Sequence, residues 1–348
     1  MYRAIKPLRP LLARKSQAVR ALSESHVYVD QCGISFNDGR LKFLVYNIAV
    51  LLPGLLMRVP IVKSAQAMGP FHSRINRLSA KIFLPRLHRI FARGHITLSH
   101  LQSLGLTNVS ESTDLALAFP AARCAQMEDT DDVEEAEGLE RIVVGIAPSA
   151  VAARKAASAG IDYVQTITRL IDSIAEQRHD LVLFAHSARP DSQREHNNDL
   201  PLCRAVHAAL KRPAACRLID QELTATELRK LIGSCHYLIT SRFHAMVGAL
   251  TLAVPGLVIG WSHKYAEVLV RFCLTDQAID YRQCRDANLL ARFDDMVEHH
   301  DEIRAKISEV LPKVRDLAFG QVAFIRQTAA SSAESTLNRQ KVRHVERK

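Results

Sequence analysis

Short runs of β-branched and other apolar residues alternate along the chain with longer segments in which apolar residues recur at helical spacing. This alternation is typical of parallel sheets whose strands are joined by covering helices. The apolar runs predict six strands: Val27–Asp30, Ile61–Ala65, Ile142–Ile146, Leu181–Ala185, Tyr237–Thr240 and Leu257–Ile259. The sequence therefore predicts an α/β fold in two halves, with any ligand at the carboxyl ends of the strands, in the cleft between the halves.

Helices are most clearly marked in the second half. Apolar residues at helical spacing precede the strand Leu181–Ala185: Val164, Ile167, Leu170, Ile171 and Ile174. Thr224 and Glu227 have the spacing of a capping box and predict a helix start. Residues 286–326 predict two further helices.

The stretch Glu128–Glu140 has eight acidic residues in thirteen and no apolar face. Such a charged run predicts a linker between the halves. The predicted organisation is an N-terminal α/β lobe over 1–126, an acidic linker over 127–140, a C-terminal α/β lobe with terminal helices over 141–328, and a disordered basic tail over 329–348.

Two segments bear on the cellular compartment. The first 25 residues lack the unbroken apolar core of a secretory signal. The run Phe43–Met57 is shorter than the roughly 20 residues that span a bilayer, and it predicts a buried helix that ends near Pro53. The seven cysteines are scattered and form no Cys-x-x-Cys pair, as in a reducing compartment. We therefore expect a cytoplasmic protein.

The net charge of +10 is concentrated near the amino terminus, because residues 1–126 contain 17 Lys and Arg against 5 Asp and Glu. No nucleic-acid-binding module accompanies these charges, so nucleic acid is not an expected partner. An anionic small substrate, or peripheral contact with an anionic membrane surface, fits the charge as well.

Ser241, Arg242 and His244 follow the strand Tyr237–Thr240 directly and precede an apolar helical segment. A turn between a parallel strand and its helix presents backbone N–H groups and the positive end of the helix dipole. An arginine and a histidine there can hold a phosphate or a carboxylate. The alternative is that Arg242 pairs with a structural carboxylate and His244 caps the helix.

Further candidates follow apolar segments in the same way: Gly33, His72, Arg93, His186 and Lys264. Gly33 would allow close approach of a ligand to the backbone. His72 and His186 are candidate acids or bases, and Arg93 and Lys264 are candidate anion contacts. Each also has an ordinary explanation, such as an exposed loop histidine or a surface lysine.

The sequence contains no metal-ligand cluster, no Gly-x-x-x-x-Gly-Lys loop, no Gly-x-Gly-x-x-Gly fingerprint and no Gly-x-Ser-x-Gly elbow. The candidate residues therefore predict chemistry without a metal or a bound cofactor, in which arginines and histidines act on an anionic substrate.

Several short motifs occur in a fixed order: Asp30–Gly33, Gln66–Phe71, Arg93 and Thr97 before Leu104–Leu106, Asp114, Pro148–Ser149, His186, and Ser241–His244 with Lys264. In this order the chain resembles the polysaccharide pyruvyl transferase family, from about Val27 to Leu274. The resemblance implies a GT-B-like fold of two Rossmann-like lobes with parallel sheets.

The resemblance also implies a reaction, because members of that family transfer pyruvate from phosphoenolpyruvate to sugars as a ketal. Arg242, helped by Arg93 and Lys264, would hold the phosphate and carboxylate of this co-substrate. His244, or failing that His72, would protonate its methylene carbon. The implied role of His186 is that of a base or sugar contact.

By the same resemblance, Ser241 and Gly33 would complete the substrate site. The implied acceptor is a saccharide in exopolysaccharide or cell-surface glycan synthesis. A lipid-linked oligosaccharide at the inner face of the membrane would suit the basic first lobe. The pattern defines neither the acceptor sugar nor an oligomeric state.

Two departures from the family pattern stand out. Members usually have further strands before the segment that matches Val27, so a first lobe that is incomplete at its amino terminus is expected. The acidic residue that often follows the first-lobe arginine is replaced by Gly94-His95. Two other functions fit the sequence: a GT-B-type glycosyltransferase that uses a nucleotide sugar, and a non-catalytic, truncated remnant that binds a partner in saccharide assembly.

Overall fold

The structure is a computed structural model that describes residues 16–119, 141–189, 198–284 and 287–345. The chain divides into two compact units. Unit 1 comprises residues up to Ala118 together with those from Val314 onwards, and unit 2 comprises Phe119–Lys313. Unit 2 ends earlier than the predicted C-terminal lobe over 141–328, because residues 314–328 belong to unit 1. The predicted linker over 127–140 lies outside the described residues.

Unit 1 contains a parallel sheet in the order β1-β2-β3-β4. Its strands are β1 (Tyr28–Asp30), β2 (Ile61–Gln66), β3 (Arg89–Ala92) and β4 (Val109–Glu111). The accompanying helices are α1 (Gln17–Glu24), α2 (Leu44–Met57), α3 (Arg74–Phe83) and α4 (His95–Gln102). The predicted strands β1 and β2 are present, whereas β3 and β4 were not predicted. A buried apolar cluster that includes Phe36, Leu51, Ile90 and Leu101 holds α2, α3 and α4 against the sheet.

Helix α2 corrects the prediction of a buried helix that ends near Pro53. It continues through Pro53 to Met57 and ends at Arg58, which adopts the left-handed conformation with φ 59°. Only one side of this apolar helix packs against the core. Apolar residues on its other side are therefore exposed, and Val45 keeps 78% of its surface exposed. By length and composition alone, the helical segment Asp38–Met57 could cross a membrane.

Unit 2 contains a parallel sheet in the order β10-β9-β8-β5-β6-β7. Its strands are β5 (Val143–Ala147), β6 (Asp180–Phe184), β7 (Cys216–Ile219), β8 (Tyr237–Thr240), β9 (Gly256–Gly260) and β10 (Ala278–Asp280). The helices between them are α5 (Ala150–Ser158), α6 (Tyr163–Glu176), α7 (Leu200–Ala208), α8 (Ala225–Gly233), α9 (Phe243–Thr251) and α10 (His263–Arg271). All four strands predicted here are present, and the capping box of Thr224 and Glu227 opens α8 as predicted.

The last two helices are α11 (Ala287–Glu298) and α12 (His300–Val345). Two helices were predicted over 286–326, but the prediction of a disordered tail is wrong for residues 329–345, which continue α12. These residues are polar, yet most are good helix formers, and a polar sequence does not by itself end a helix. Within unit 1, Gln321 of α12 accepts a hydrogen bond from Ser64 at 2.8 Å.

Short 3₁₀ segments complete the described secondary structure: Asp38–Phe43, Leu84–Arg86, Leu115–Ala118, Pro213–Ala215, Thr275–Gln277 and Tyr281–Gln283.

Candidate functional site

The carboxyl ends of three neighbouring strands of unit 2 lie side by side. In the register of the sheet, Thr240 of β8 pairs with Ala147 of β5 on one side and with Val258 of β9 on the other. The residues that follow these strands are therefore gathered at one edge of the sheet, as expected for a doubly wound fold. We call this edge the β5–β8–β9 edge.

Helix N-termini accompany the strand ends at this edge. The N-cap residues of α5, α7, α9 and α10 are Ser149, Asp199, Arg242 and Ser262, and none of them caps its helix with a side-chain hydrogen bond. By contrast, Thr224 caps α8 fully. The first N–H groups of a helix carry a partial positive charge, so this edge is suited to an anion.

Arg242 begins α9 and forms a two-point ion pair with Asp199. Its Nε donates to Oδ2 at 2.6 Å and its Nη2 donates to Oδ1 at 2.5 Å. Asp199 is completely buried, whereas the Arg242 side chain keeps 16% of its surface exposed. The pair uses two of the five guanidinium N–H groups, and the other three have no acceptor among the residues that the structure describes. Arg242 is thus fixed in orientation with donors to spare.

Asp199 is the partner of Arg242 that the sequence pattern does not indicate. Besides Arg242, its carboxylate accepts hydrogen bonds from the backbone N–H of Ala150, at 2.9 Å, and of Ser187, at 3.2 Å. Three segments of unit 2 therefore meet at this one side chain. The available signal was an Asp two residues before Pro201, a pattern that often starts a helix.

Ser241 is completely buried, and its polar groups are all engaged. Its hydroxyl is 2.6 Å from the hydroxyl of Tyr163, its carbonyl accepts from the hydroxyl of Tyr265 at 2.8 Å, and its N–H donates to Ala147 at 3.2 Å. Burial raises the pKa of both tyrosines, so their phenols stay neutral. The geometry gives Ser241 the task of holding the turn that carries Arg242, and it does not expose the predicted substrate-binding hydroxyl.

His244 and Lys264 both contact the ring of Phe243. His244 is exposed on the first turn of α9, with its ring edge-on to Phe243 at 5.4 Å. The Lys264 ammonium lies over three aromatic rings, 4.6 Å from Phe243, 4.8 Å from Trp261 and 5.2 Å from Tyr265. Contact with ring faces favours the charged form of the lysine. A cation and an imidazole therefore adjoin the Arg242 turn.

His186 follows β6, beside the same edge. Burial lowers the pKa of His186 to about 4, and the nearby positive charges of His244 and Arg242 add to the effect. The imidazole is therefore neutral at neutral pH and can accept a proton. His186, Arg242 and His244 are therefore close enough to influence one another electrostatically.

In unit 1, Arg93 follows β3 and Asp114 follows β4, and the two form a largely buried ion pair with Nη1 3.1 Å from Oδ2. Gly33 lies next to them, because a Cβ at Gly33 would be 3.8 Å from the same Arg93 nitrogen. Gly33 and Arg93 are thus neighbours at the carboxyl edge of this sheet. Asp114 provides the acidic partner that Gly94-His95 cannot.

The side chain of His72 is exposed. Its backbone N–H donates to the Asp38 carboxylate at 2.7 Å. The loop before it bends at Gly69, where φ is +81° and where a Cβ would come within 2.6 Å of His100. Only glycine fits this position, which explains the Gly-Pro turn. The described contact of His72 with Asp38 positions the backbone and assigns no chemical role to the imidazole.

Lys63 is a completely buried charged residue of strand β2. Its ammonium is 2.5 Å from Asp30, 3.0 Å from Gln66 and 3.3 Å from Ser35. Burial raises the pKa of Asp30, but the charge and hydrogen bond of Lys63 outweigh it and leave the pKa below its usual value. This network fixes the loop that carries Gly33.

Each unit therefore gathers its own predicted residues: Arg242, His244, His186 and Lys264 in unit 2, and Arg93 with Gly33 in unit 1. Within the four described ranges, no three His, Cys, Asp or Glu side chains are grouped so as to hold a metal ion.

Comparison with known proteins gives relatives of both sequence and fold. The amylovoran biosynthesis protein AmsJ of Erwinia amylovora is 19% identical over 278 residues, which are 76% of this chain and 65% of that protein. The chain thus spans less than two thirds of the length of this relative.

Two solved structures share the fold. UDP-GlcNAc 2-epimerase from Neisseria meningitidis, bound to UDP-GlcNAc, has a TM-score of 0.57 at 11% identity and covers 92% of this chain and 80% of its own. The UDP-forming α,α-trehalose-phosphate synthase from Burkholderia xenovorans, in complex with glucose-6-phosphate, has a TM-score of 0.58 at 11% identity and covers 92% of this chain and 76% of its own. These neighbours confirm the GT-B-like fold class.

The family model for polysaccharide pyruvyl transferase matches residues 8–263. This range is more than half of the chain, and it contains the β5–β8–β9 edge as far as Ser262 and the Arg93–Asp114 pair. The chain belongs to the polysaccharide pyruvyl transferase family.

Proposed function

We propose that this protein transfers pyruvate from phosphoenolpyruvate to a saccharide as a ketal, in the synthesis of an exopolysaccharide or cell-surface glycan. The observation that carries the proposal is the fixed guanidinium of Arg242. It lies at an edge where the N-cap residues of four helices make no side-chain cap hydrogen bond to their own helix, next to the Lys264 ammonium and two histidines.

The charge at this edge suits a small trianion. Asp199 neutralises Arg242 formally, so the guanidinium serves as an oriented hydrogen-bond donor, and the Lys264 ammonium lies close to it over the Phe243 ring. A planar guanidinium with spare donors can bind a phosphate or carboxylate at two points. Within unit 1, Arg93 is oriented in a similar way by its pairing with Asp114, and we propose it as an anion contact of that unit.

The proposed chemistry is a proton-driven addition. The His244 imidazolium gives its proton to C3 of phosphoenolpyruvate, C2 becomes cationic, and a sugar hydroxyl attacks C2 to form a C–O bond. Neutral His186 accepts the proton of that hydroxyl. A second hydroxyl then attacks C2, phosphate leaves with the C2–O bond electrons, and the second hydroxyl proton returns to His244 or to the phosphate. General acid and base steps of this kind contribute about 10²- to 10⁴-fold each.

The proposed acceptor is a saccharide or lipid-linked oligosaccharide, and the proposed compartment is the cytoplasm. The six cysteines within the described part of the chain are all free thiols, which suits a reducing environment. The name of the AmsJ relative supports a role in extracellular polysaccharide synthesis here.

The direct test is transfer in D₂O with phosphoenolpyruvate labelled with ¹³C at C3. Protonation of the methylene carbon would place one deuterium in the ketal methyl group, which NMR of the saccharide fraction detects together with release of phosphate. Calorimetric titration with phosphoenolpyruvate, and in parallel with UDP-sugars, measures which ligand the full chain binds.

Arg242→Ala should abolish both phosphoenolpyruvate binding and transfer. Arg154→Ala, a change on the exposed side of α5, serves as the matched control and should leave both intact. Binding of a UDP-sugar without phosphoenolpyruvate would favour the nucleotide-sugar glycosyltransferase. Binding of neither ligand would favour a non-catalytic member of the family.

A further inference from the structure

Helix α2 turns one apolar face towards the core and another towards solvent. Leu44, Asn47, Leu51 and Gly54 form its buried face. The opposite face is exposed and has equally regular helical spacing, with these members: Val45, Ala49, Leu52 and Leu56. A soluble surface helix normally carries polar residues on its outer side. The apolar outer face of α2 therefore indicates a binding surface.

Helix α3 extends this surface, because it packs against α2 in unit 1. Ile75 is 68% exposed, Leu78 is 62% exposed and Ile82 is 41% exposed, and their spacing puts them on one side of the helix. Beside them, at the same spacing, lie three exposed basic residues: Arg74, Arg77 and Lys81. We call the exposed residues of these two helices the α2–α3 face.

The charge along the segment that contains both helices has a single sign. No Asp or Glu occurs from Gly39 to Ser110, whereas ten Lys and Arg do. The nearest acid before this stretch, Asp38, is engaged by the backbone N–H groups of His72 and Ser73 and by the Asn76 side chain. Apolar side chains flanked by basic ones complement a surface that offers acyl chains beneath anionic phosphates.

The geometry of α2 decides how it can meet a bilayer. A Cβ at Gly54 would lie 2.9 Å from Ile61 of β2 and 3.0 Å from Tyr28 of β1, so the helix backbone is pressed directly onto the sheet. Its inner face cannot face lipid while unit 1 is folded. Helix α2 therefore suits a position in the plane of the membrane surface, with only its outer side immersed.

A second copy of the chain fits this surface less well. A symmetric dimer through the α2–α3 face would bring Arg74, Arg77 and Lys81 of one copy towards the same residues of the other. Like charges held together without acids between them oppose association.

We propose that the α2–α3 face binds the surface of an anionic phospholipid bilayer, with the apolar residues entering the headgroup boundary and the basic residues contacting lipid phosphates. This interaction is independent of the proposed reaction. It would hold the protein where a lipid-linked saccharide is presented.

Co-sedimentation of the full chain with vesicles tests the proposal. Vesicles of phosphatidylglycerol and phosphatidylcholine should bind the protein, with affinity that falls as salt is added, and vesicles of phosphatidylcholine alone should bind it much more weakly. The triple variant Arg74→Glu, Arg77→Glu, Lys81→Glu should lower the partition coefficient at least about a hundredfold, since each basic residue near an anionic surface contributes about 1 kcal/mol.

The matched control reverses three exposed basic residues of unit 2, in the variant Lys211→Glu, Arg212→Glu, Arg217→Glu, and should bind vesicles nearly as well as the parent.

A second test variant, Ile75→Ser, Leu78→Ser, Ile82→Ser, keeps every charge and should also lose binding. All six positions of α3 that these two variants change are exposed, so urea unfolding should show an unchanged fold. Vesicle binding that survives both α3 variants would overturn the proposal, as would an α3-dependent dimer without vesicle binding. Phosphoenolpyruvate binding, measured on the same samples, reports separately on the proposed reaction.

Discussion

Arg242 meets Asp199 side-on, and the two carboxylate oxygens lie 2.6 and 2.5 Å from two of its nitrogens. The carboxylate has no exposed surface, whereas part of the guanidinium remains open. Since Asp199 also accepts from two backbone N–H groups, it cannot move without disturbing α5 and the segment after β6. Asp199 is therefore a positioning residue for the proposed anion contact.

Asp199→Asn should weaken phosphoenolpyruvate binding about 10- to 100-fold, because a hydrogen bond to a charged group contributes about 1.5–3 kcal/mol. The measurement is calorimetric titration of the variant and the parent. A purely structural role would instead lower the free energy of unfolding and leave the affinity of the folded fraction unchanged. Adding Asp199→Asn to Arg242→Ala should cost no further affinity, because Asp199 acts on the anion only through Arg242.

His244→Gln should reduce turnover about 10²- to 10⁴-fold while changing phosphoenolpyruvate affinity only a few-fold. The reason is that His244 is proposed to move a proton rather than to hold the anion. Steady-state rates of phosphate release, together with titration, separate the two effects. His244 is exposed, so the variant should unfold at the same urea concentration as the parent. Near-normal turnover would remove His244 from the mechanism.

His186 should make stability depend on pH between about 6.5 and 4. Burial first, and then the charges of His244 and Arg242, lower its pKa to about 4. In this pH range, His186 is protonated in the unfolded chain but stays neutral in the folded chain. The free energy of unfolding therefore falls as the pH drops, by at most about 2 kcal/mol at pH 5. Urea unfolding at pH 7.5 and pH 5 measures this fall, and it should be smaller in His186→Gln. An equal fall in both proteins would show that other groups cause it.

Lys63→Met should destabilise the protein by about 3–5 kcal/mol, because it leaves the buried Asp30 carboxylate without its cation. The double variant Lys63→Met, Asp30→Asn should recover part of the loss, and denaturant unfolding compares the three proteins. The lowered pKa of Asp30 means that the stabilisation by the pair is present above the usual value of 3.8 and is lost on acidification below it. If the double variant were no more stable than Lys63→Met, the hydrogen bonds of Lys63 to Ser35 and Gln66 would be the main contribution.

The sequence predicts the second sheet well where strands are apolar throughout. Tyr237–Thr240 was predicted with the bounds that the structure has, because both faces of a central parallel strand are covered and its residues read as one apolar run. Strands such as Arg89–Ala92 and Cys216–Ile219 do not read as apolar runs, since each has an arginine as its first or second residue. Their pairing partners, rather than their composition, make them strands.

The candidate site was predicted only in part, for a related reason. Arg242, His244 and Lys264 follow recognisable strands and could be found by position. Asp199 could not, because 43 residues separate it from Arg242 and only the folded sheet brings them together. The same limit applies to Ser241, whose place in the motif suggested a ligand contact although Tyr163 and Tyr265 enclose it.

Helix α12 has a practical consequence for dissecting the molecule. Its residues up to Lys313 belong to unit 2, and those from Val314 belong to unit 1, where Gln321 bonds to Ser64 and to the carbonyl of Thr113. A fragment that stops at Ala118 would therefore lack a piece of its own interior, and a stop codon near residue 313 would damage the amino-terminal half of the protein. Isolated expression of unit 1 would require joining two distant stretches of the gene, for example by circular permutation.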